Sequence, residues 1–409
     1  MQSPPPHPAD QSAPIAMGEF VALVAALMAL GALGVDAMLP ALPTIGAELH
    51  ARGANAPQFV ISVYLFGLGV GQLIHGPLSD HVGRRPVMLA ALGVYAAAGL
   101  AAAASTGFVV LLVARFAGAV AVAATRVVTV ATVRDCYSGR PMARVMSLAS
   151  MVFMIAPVLA PTLGQGVLVF GSWRLIFGVI AALTLVVMAW YWRRLPETLA
   201  RTDRLPFSIA RTWLGMRQTL ANRWSLGYLI AATAMQGSIF GYVTTVQPIV
   251  SDTFHAAPLL NLVFAGTAGA MAAANLLNSR FVLRVGSRVL SQAALVTMIV
   301  GAAIALGAAL TGHETLGGFV VLQAVALGCF ALANANFSAL AMADMGAIAG
   351  TASSVQGFVT VTGGAMLGAL IGQSYAGTTV PVHLGFLLAG VFALAVVAVT
   401  ERGRLFHPG

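Results

Sequence analysis

The chain has 409 residues, 59% of them hydrophobic and only 8% charged, with a net charge of +9 and a mean hydropathy of +0.90. Those proportions exclude a soluble globular domain and point to a helical protein that crosses a membrane many times. The positive charge does not indicate a nucleic-acid partner, because the basic residues fall in short stretches between apolar runs, where they report orientation.

Residues 1–16 carry no lysine or arginine and read as a disordered cytoplasmic tail rather than a cleavable signal. Twelve apolar runs follow, at approximately 17–42, 58–79, 87–106, 108–131, 144–169, 173–193, 222–248, 258–281, 288–311, 315–341, 348–373 and 381–400. Each is long enough to cross a hydrocarbon core of roughly 30 Å at about 1.5 Å per residue. The polar, Arg-rich stretch 195–221 separates an N-terminal six-helix bundle, 17–194, from a C-terminal one, 222–401, and residues 402–409 form a short tail. All 21 basic side chains are arginine. With both termini in the cytoplasm, seventeen of them fall on the inner side, Arg52 and Arg174 fall outside, and Arg115 and Arg126 stay within the fourth run. That asymmetry sets the orientation. Cys136 and Cys329 lie in different halves and give no disulfide framework.

The second run leaves the membrane through "GPLSDHVGRR" (76–85), and the eighth leaves through "NSRFVLRVGSR" (278–288). Gly286 matches Gly83 and Arg288 matches Arg85, while Leu283 stands where Asp80 was. A faint repeat of this kind, with a six-plus-six division, is the plan of a transporter whose binding site lies between two related halves near mid-membrane. The expected fold is therefore an all-α membrane protein of 12 transmembrane helices in two pseudo-symmetric bundles.

Several stretches together resemble the major facilitator superfamily, in its drug:proton antiporter branch of the Bcr/CflA type. They are the 76–85 loop, "DAMLPALP" (36–43), "RFAGAVAVAATR" (115–126), "MIAPVLAPTLGQG" (154–166), "VRDCYSGRPMARVMS" (133–147) and "AGTASSVQGF" (349–358). Three departures stand out: Gly118 and Ala119 replace a usual Gln-Gly, and Gln165 replaces a common glycine. The resemblance covers nearly the whole chain. It implies a multi-pass bacterial inner-membrane transporter that exports antibiotics or other small amphiphiles by proton antiport and alternating access, acting as a monomer in the bilayer. It also implies that Asp80 meets the start of the eleventh helix, whose dipole favours a carboxylate there.

The residues themselves suggest three sites. In the loop, Gly76 and Gly83 are expected to let the second and third helices turn sharply, with Asp80 beside Arg84 and Arg85 and with Asp135 as the partner of one of these arginines. Such a cluster is a gating latch on the cytoplasmic side; the competing reading is an orientation anchor with a solvated carboxylate. Asp36 is the one acid well inside a run. Taking a carboxyl out of water favours its neutral form, which suits a proton carrier, although Asp36 also reads as a helix-end cap. Arg115 and Arg126 complete the proton-coupling set. Eleven residues at 100° each return to within about 20°, so the two share a face roughly 16 Å apart, and Arg115 lies at a depth that suits an ion pair with Asp36. Each arginine also reads as a snorkelling side chain.

In the fifth run Pro157 and Pro161 are expected to bend the helix, and Gly164 to let it pack closely. His75 reads as a packing or hydrogen-bonding residue near the inner surface. Polar or adaptable side chains within the runs form the substrate-contact set: Tyr64, Gln72, Met151, Phe153, Gln236, Phe240, Tyr242, Asn334, Asn336 and Gln356. One carboxylate against two arginines leans toward neutral, zwitterionic or anionic substrates. No catalytic triad, paired intramembrane acids or metal-ligand spacing stands out, and no phosphate-binding GxxxxGK[ST] stretch occurs, so neither an enzyme nor an ATP-driven pump is expected. No metal or cofactor is expected, and the energy source is the proton gradient. The alternative is a proton-coupled or facilitative exporter or importer of an endogenous metabolite.

Overall fold

The computed structural model describes residues 15–204, 206 and 209–407, and within these the side chains at all positions but 140, 143, 150–158, 209, 211, 212 and 347. Among the described residues the chain is helical throughout, with no strand. The α-helices are α1 Met17–Asp36, α2 Leu42–Glu48, α3 Phe59–Val82, α4 Arg84–Ala103, α5 Phe108–Val122, α6 Ala124–Cys136, α7 Gly139–Phe170 and α8 Arg174–Arg194. They continue with α9 Ile209–Ala221, α10 Arg223–Pro248, α11 Leu260–Val285, α12 Ser287–Leu310, α13 Leu316–Met342, α14 Ala349–Gln373 and α15 Val380–Thr400. Eleven stretches are long and apolar enough to cross a membrane. The place of the fifth predicted span is filled by α7, 32 residues long, whose described apolar part is Leu159–Phe170. The predicted linker contains a short 3-10 turn, Arg201–Asp203, and the helix α9.

Two spans are divided. Pro40 has no N–H, so the carbonyl of Asp36 loses its helical donor and α1 stops there. The first span then continues as a 3-10 turn, Leu39–Ala41, and α2. The fourth span is divided at Ala123, between α5 and α6.

Contacts group the chain up to Ala41 with Val70–Ile209, and Leu42–Gly69 with Ala210–Gly409. In the first unit α1 packs against α6, α7 and α8, and α4 against α5 and α8. In the second, α10 packs against α13, α14 and α15, while α13 also packs against α11 and α12. The segment before α3 joins this second unit through Asn55, whose Nδ2 donates to the carbonyls of Gln373 at 3.0 Å and Tyr375 at 2.8 Å.

The turn at Gly83 has φ +116°, and its counterpart at Gly286 has φ +90°. The weak sequence repeat is thus a repeat of backbone conformation, in each case between two consecutive membrane helices. Gly76 is different: the sequence suggests a turn, but this residue lies inside α3, and only Gly83 bends the chain.

Helix α7 runs without interruption past Pro157 and the buried Pro161; the Pro157 side chain lies outside the described residues. Gly164 brings α7 against the break in the first span, where an added Cβ would overlap the carbonyl oxygen of Ala37. Gly164→Ala is expected to destabilise the protein by about 1–3 kcal/mol, seen as a lower melting temperature. Gly166→Ala, on the same helix with nothing within 4 Å of its added Cβ, is expected to leave melting unchanged.

Candidate functional site

Asp36 is the last residue of α1 and is 5% exposed. Among the described residues its carboxyl group forms no hydrogen bond or ion pair. The expected pair with Arg115 is not made. Arg115 instead donates from Nη2 to the carbonyl oxygen of Gly34 at 2.7 Å, with its guanidinium carbon 5.8 Å from the centre of the Phe177 ring. The break explains the choice. The last carbonyls of a helix have no backbone donor, and a cation at a helix C-terminus also meets the negative end of its dipole. One turn earlier on the same face, Tyr95 Oη donates to the carbonyl of Leu30 at 3.3 Å.

The two arginines of the fourth span differ in exposure, although the backbone stays helical between them: Ala123 has φ −55° and ψ −27°, and its N–H bonds the carbonyl of Ala119 at 3.1 Å. Arg115 is 4% exposed, whereas Arg126 is exposed. Near Ala123 His75 fills a structural role: its Nε2 lies 2.8 Å from the carbonyl oxygen of Val120. An added Cβ on Gly71 would overlap the same carbonyl, so α3 passes very close to α5 there.

At the other end of α3 the expected contacts of Arg84 with Asp80 and Asp135 are made within the first unit. Arg84 is 4% exposed. Its Nε donates to Asp135 Oδ2 at 2.9 Å, and its Nη1 to Ser79 Oγ at 2.9 Å and to Asp80. Arg85 turns away and donates to the carbonyl of Trp192 at 2.6 Å. The sequence reading missed Glu197, which completes the cluster. Its carboxylate accepts the backbone N–H groups of Arg84 at 2.9 Å and Arg85 at 3.2 Å, and those of Thr198 and Leu199 at 3.1 Å each. Glu197 therefore caps the N-terminus of α4 from more than a hundred residues away. Gly83 is required by its φ of +116°, and a Cβ there would also meet the Glu197 carboxylate. The available signal was one acid just beyond the sixth run, in "LPET".

In the second unit, Leu283 at the Asp80 position is 93% exposed. Arg288 pairs with Glu401 at 3.0 Å and lies 4.8 Å from the centre of the Trp224 ring. Tyr228 Oη also donates to Glu401. This cluster ties the starts of α10 and α12 to the end of α15. A second acidic cluster, also missed from sequence, joins Glu314 to His383 Nε2 at 2.7 Å and to Thr379.

The substrate-contact set divides. Tyr242 Oη lies 3.3 Å from Thr267 Oγ1. Asn336 donates to Asn278 at 2.7 Å and to the Leu332 carbonyl at 2.8 Å. Gln356 donates to Ser225 Oγ at 3.2 Å and to the Ala341 carbonyl at 3.1 Å. These three bind helices to one another. Gln236 and Phe240 lie against Gly364 and Gly368 of α14. Tyr64 and Gln72 are buried and Asn334 is half-buried. The side chains of Met151 and Phe153 lie outside the described residues.

Comparison with known proteins fits this geometry. A family model described as the Major Facilitator Superfamily matches residues 24–369. A bicyclomycin resistance protein homolog of Haemophilus influenzae is 30% identical over 393 residues, covering 93% of this chain and 94% of that protein. A chloramphenicol resistance protein of Pseudomonas aeruginosa is 30% identical over 348 residues, covering 83% and 80%. In fold, the chain matches the human organic anion transporter MFSD10 with a TM-score of 0.67 at 16% identity, covering 94% of this chain and 100% of that one. It matches the xylose transporter XylE of E. coli with a TM-score of 0.68 at 12% identity, covering 93% and 96%.

The Arg84 cluster predicts unequal effects. Asp135, whose side chain is 16% exposed, is the better-buried partner, and Asp135→Ala is expected to cost about 3 kcal/mol by stranding a buried guanidinium. Asp80, 39% exposed, is expected to cost less than about 1 kcal/mol on replacement by alanine. Thermal melts of the two variants check the order.

Proposed function

Because the chain belongs to the major facilitator superfamily, and is therefore a multi-pass membrane transporter and not an enzyme, we propose that it is a proton-coupled antiporter. It exports small amphiphilic, antibiotic-like compounds from the cytoplasm by alternating access. The observation that carries this reading is Asp36, a carboxyl group that is 5% exposed and has no partner among the described residues. An acid tied into a salt bridge must break that bridge in every cycle. An acid without one exchanges a proton at the cost of solvation alone, and an intramembrane carboxyl is a functional site by default.

Arg115 supports the role without neutralising Asp36. It is anchored on the Gly34 carbonyl two residues away, so its charge stays near the acid through a backbone bond. The names of the relatives, resistance to bicyclomycin and to chloramphenicol, support a drug-like substrate. The excess of arginine in the stretches around Arg84, Arg194 and Arg280 supports cytoplasmic termini in a bacterial inner membrane. On that orientation the Arg84–Asp135–Glu197 cluster is a cytoplasmic latch, stabilising the outward-facing state. The energy source is the proton gradient, with no metal or cofactor, and the acting species is a monomer in the lipid bilayer.

The test is substrate-induced proton release in everted membrane vesicles, with chloramphenicol as the probe. Wild-type protein is expected to release protons on adding substrate and to accumulate the drug only while a pH gradient stands. Asp36→Asn is expected to lose both while still folding, as judged by its melting temperature. Gradient-driven accumulation at the wild-type rate in Asp36→Asn would remove Asp36 from the proton path. Uptake of drug without proton movement in the wild type would make the chain a facilitator.

A further inference from the structure

Among the arginines on the first unit's helices, three in the Arg84 turn and the fourth span face different fates. Arg84 and Arg115 are each 4% exposed, and both are bonded, to carboxylates and to a carbonyl respectively. Arg126 is exposed, and among the described residues its guanidinium has no ion pair and no hydrogen bond. Such a group presents five N–H donors in a planar fork.

Local structure sets this exposure. Helix α6 follows α5 through Ala123, whose φ of −55° and ψ of −27° are helical and whose carbonyl accepts the N–H groups of both Arg126 and Val127 at 3.2 Å. The new helix buries Ala124, Thr125, Val128, Thr129, Thr132 and Val133. The opposite side carries Arg126 beside the half-buried Val127 and Val130. Arg126 stands ten residues before the end of α6 at Cys136, which is about 15 Å along the helix. At that depth a guanidinium against lipid tails is strongly disfavoured, so the surface it reaches is one that water or substrate occupies. The result is a fork with its donors unused, flanked by two apolar side chains.

We propose that Arg126 recognises a carboxylate on the transported compound, which makes the preferred substrates of this chain amphiphilic organic acids. The inference rests on the export reading above and moves Arg126 from the proton path to the substrate. Bidentate pairing matches the fork to the two oxygens of a carboxylate, and the valines supply the apolar wall that an amphiphile needs. The two tasks are separated in space. Asp36 lies nineteen residues from the start of α1 at Met17, about 28 Å along the helix, against about 15 Å for Arg126 from the end of α6. A substrate anion entering from the cytoplasm thus meets Arg126 before it comes level with the proton carrier.

The test uses nalidixate, a planar aromatic carboxylate, and its uncharged methyl ester as probes, with equilibrium dialysis against the purified full-length protein. The wild type is expected to bind nalidixate at least about tenfold more tightly than the ester, the scale of one charge-assisted hydrogen-bond pair. In Arg126→Gln the ratio is expected to fall to near one. Arg126→Lys, which keeps the charge without the fork, is expected to fall between. Equal affinities in the wild type, absence of saturable nalidixate binding, or a preference that survives in Arg126→Gln would each overturn the proposal. The wild-type comparison needs no variant, so a misfolded mutant does not shield it. Proton release in everted vesicles reports separately on the export reading: no acid preference in the wild type, or one that survives in Arg126→Gln, with intact antiport refutes only the role of Arg126, and acid preference without proton movement refutes only the antiport.

Discussion

Pro40 withholds a single N–H, and the candidate site depends on that. The carbonyl of Asp36 has no helical partner, α1 ends, and the carbonyls of its last turn need other donors. Arg115 takes the one at Gly34, which fixes α5 beside α1 and holds a guanidinium near Asp36 without pairing with it. Gly164 lets α7 close over the break by leaving room for the Ala37 carbonyl. One missing hydrogen bond thus gathers parts of three spans around one acid. A continuous helix would have consumed the Gly34 carbonyl internally and left Arg115 to find Asp36 directly.

The two glycine turns show how one backbone device serves different chemistry. Gly83 and Gly286 both take positive φ and both sit between consecutive membrane helices. Around Gly83 the ionic cluster is dense. Glu197 receives four backbone N–H groups, and Arg84 bridges Asp135 and Asp80. Around Gly286 the position matching Asp80 is the exposed Leu283, and the acid that meets Arg288 comes from the end of α15. Each turn is thus fastened within its own unit, the first by two aspartates and a capping glutamate and the second by one glutamate from a distant helix end.

The sequence makes the architecture readable because membrane spanning is a problem of length and composition, which survive in a single chain. Most apolar runs are single helices near their predicted limits, the first and fourth being divided, and the Arg84–Asp135 bond followed from placing two charges at neighbouring helix ends. What escaped reading depends on breaks and on distant partners. Helical arithmetic puts Arg115 and Arg126 on one face, but it does not show that the first is buried and bonded to the Gly34 carbonyl while the second is exposed. Glu197 looked like a solvated linker acid because nothing local shows that it caps a helix more than a hundred residues earlier. The bonds of Tyr242, Asn336 and Gln356 to Thr267, Asn278 and Ser225 on neighbouring helices were not legible either, because a polar side chain in a span has the same spelling whatever it meets.

Charge inside a membrane protein therefore sorts by what answers it. Where an arginine is met by a carboxylate or a free carbonyl, as at Arg84 and Arg115, it holds the fold, and desolvation is offset by bonds within the chain. Where a charged or ionisable group is left unanswered, as at Asp36 and Arg126, the fold gains nothing from it and must tolerate it. The rest of the unit is built so that this tolerance is possible: Pro40 ends the helix that carries the acid, and His75, on the Val120 carbonyl, supports the end of α5 before the arginine. Asp36 lies where α1 ends and Arg126 in the first turn of α6, so the bonds that hold these helices in place are made by their neighbours, Arg115 on the Gly34 carbonyl and His75 on that of Val120.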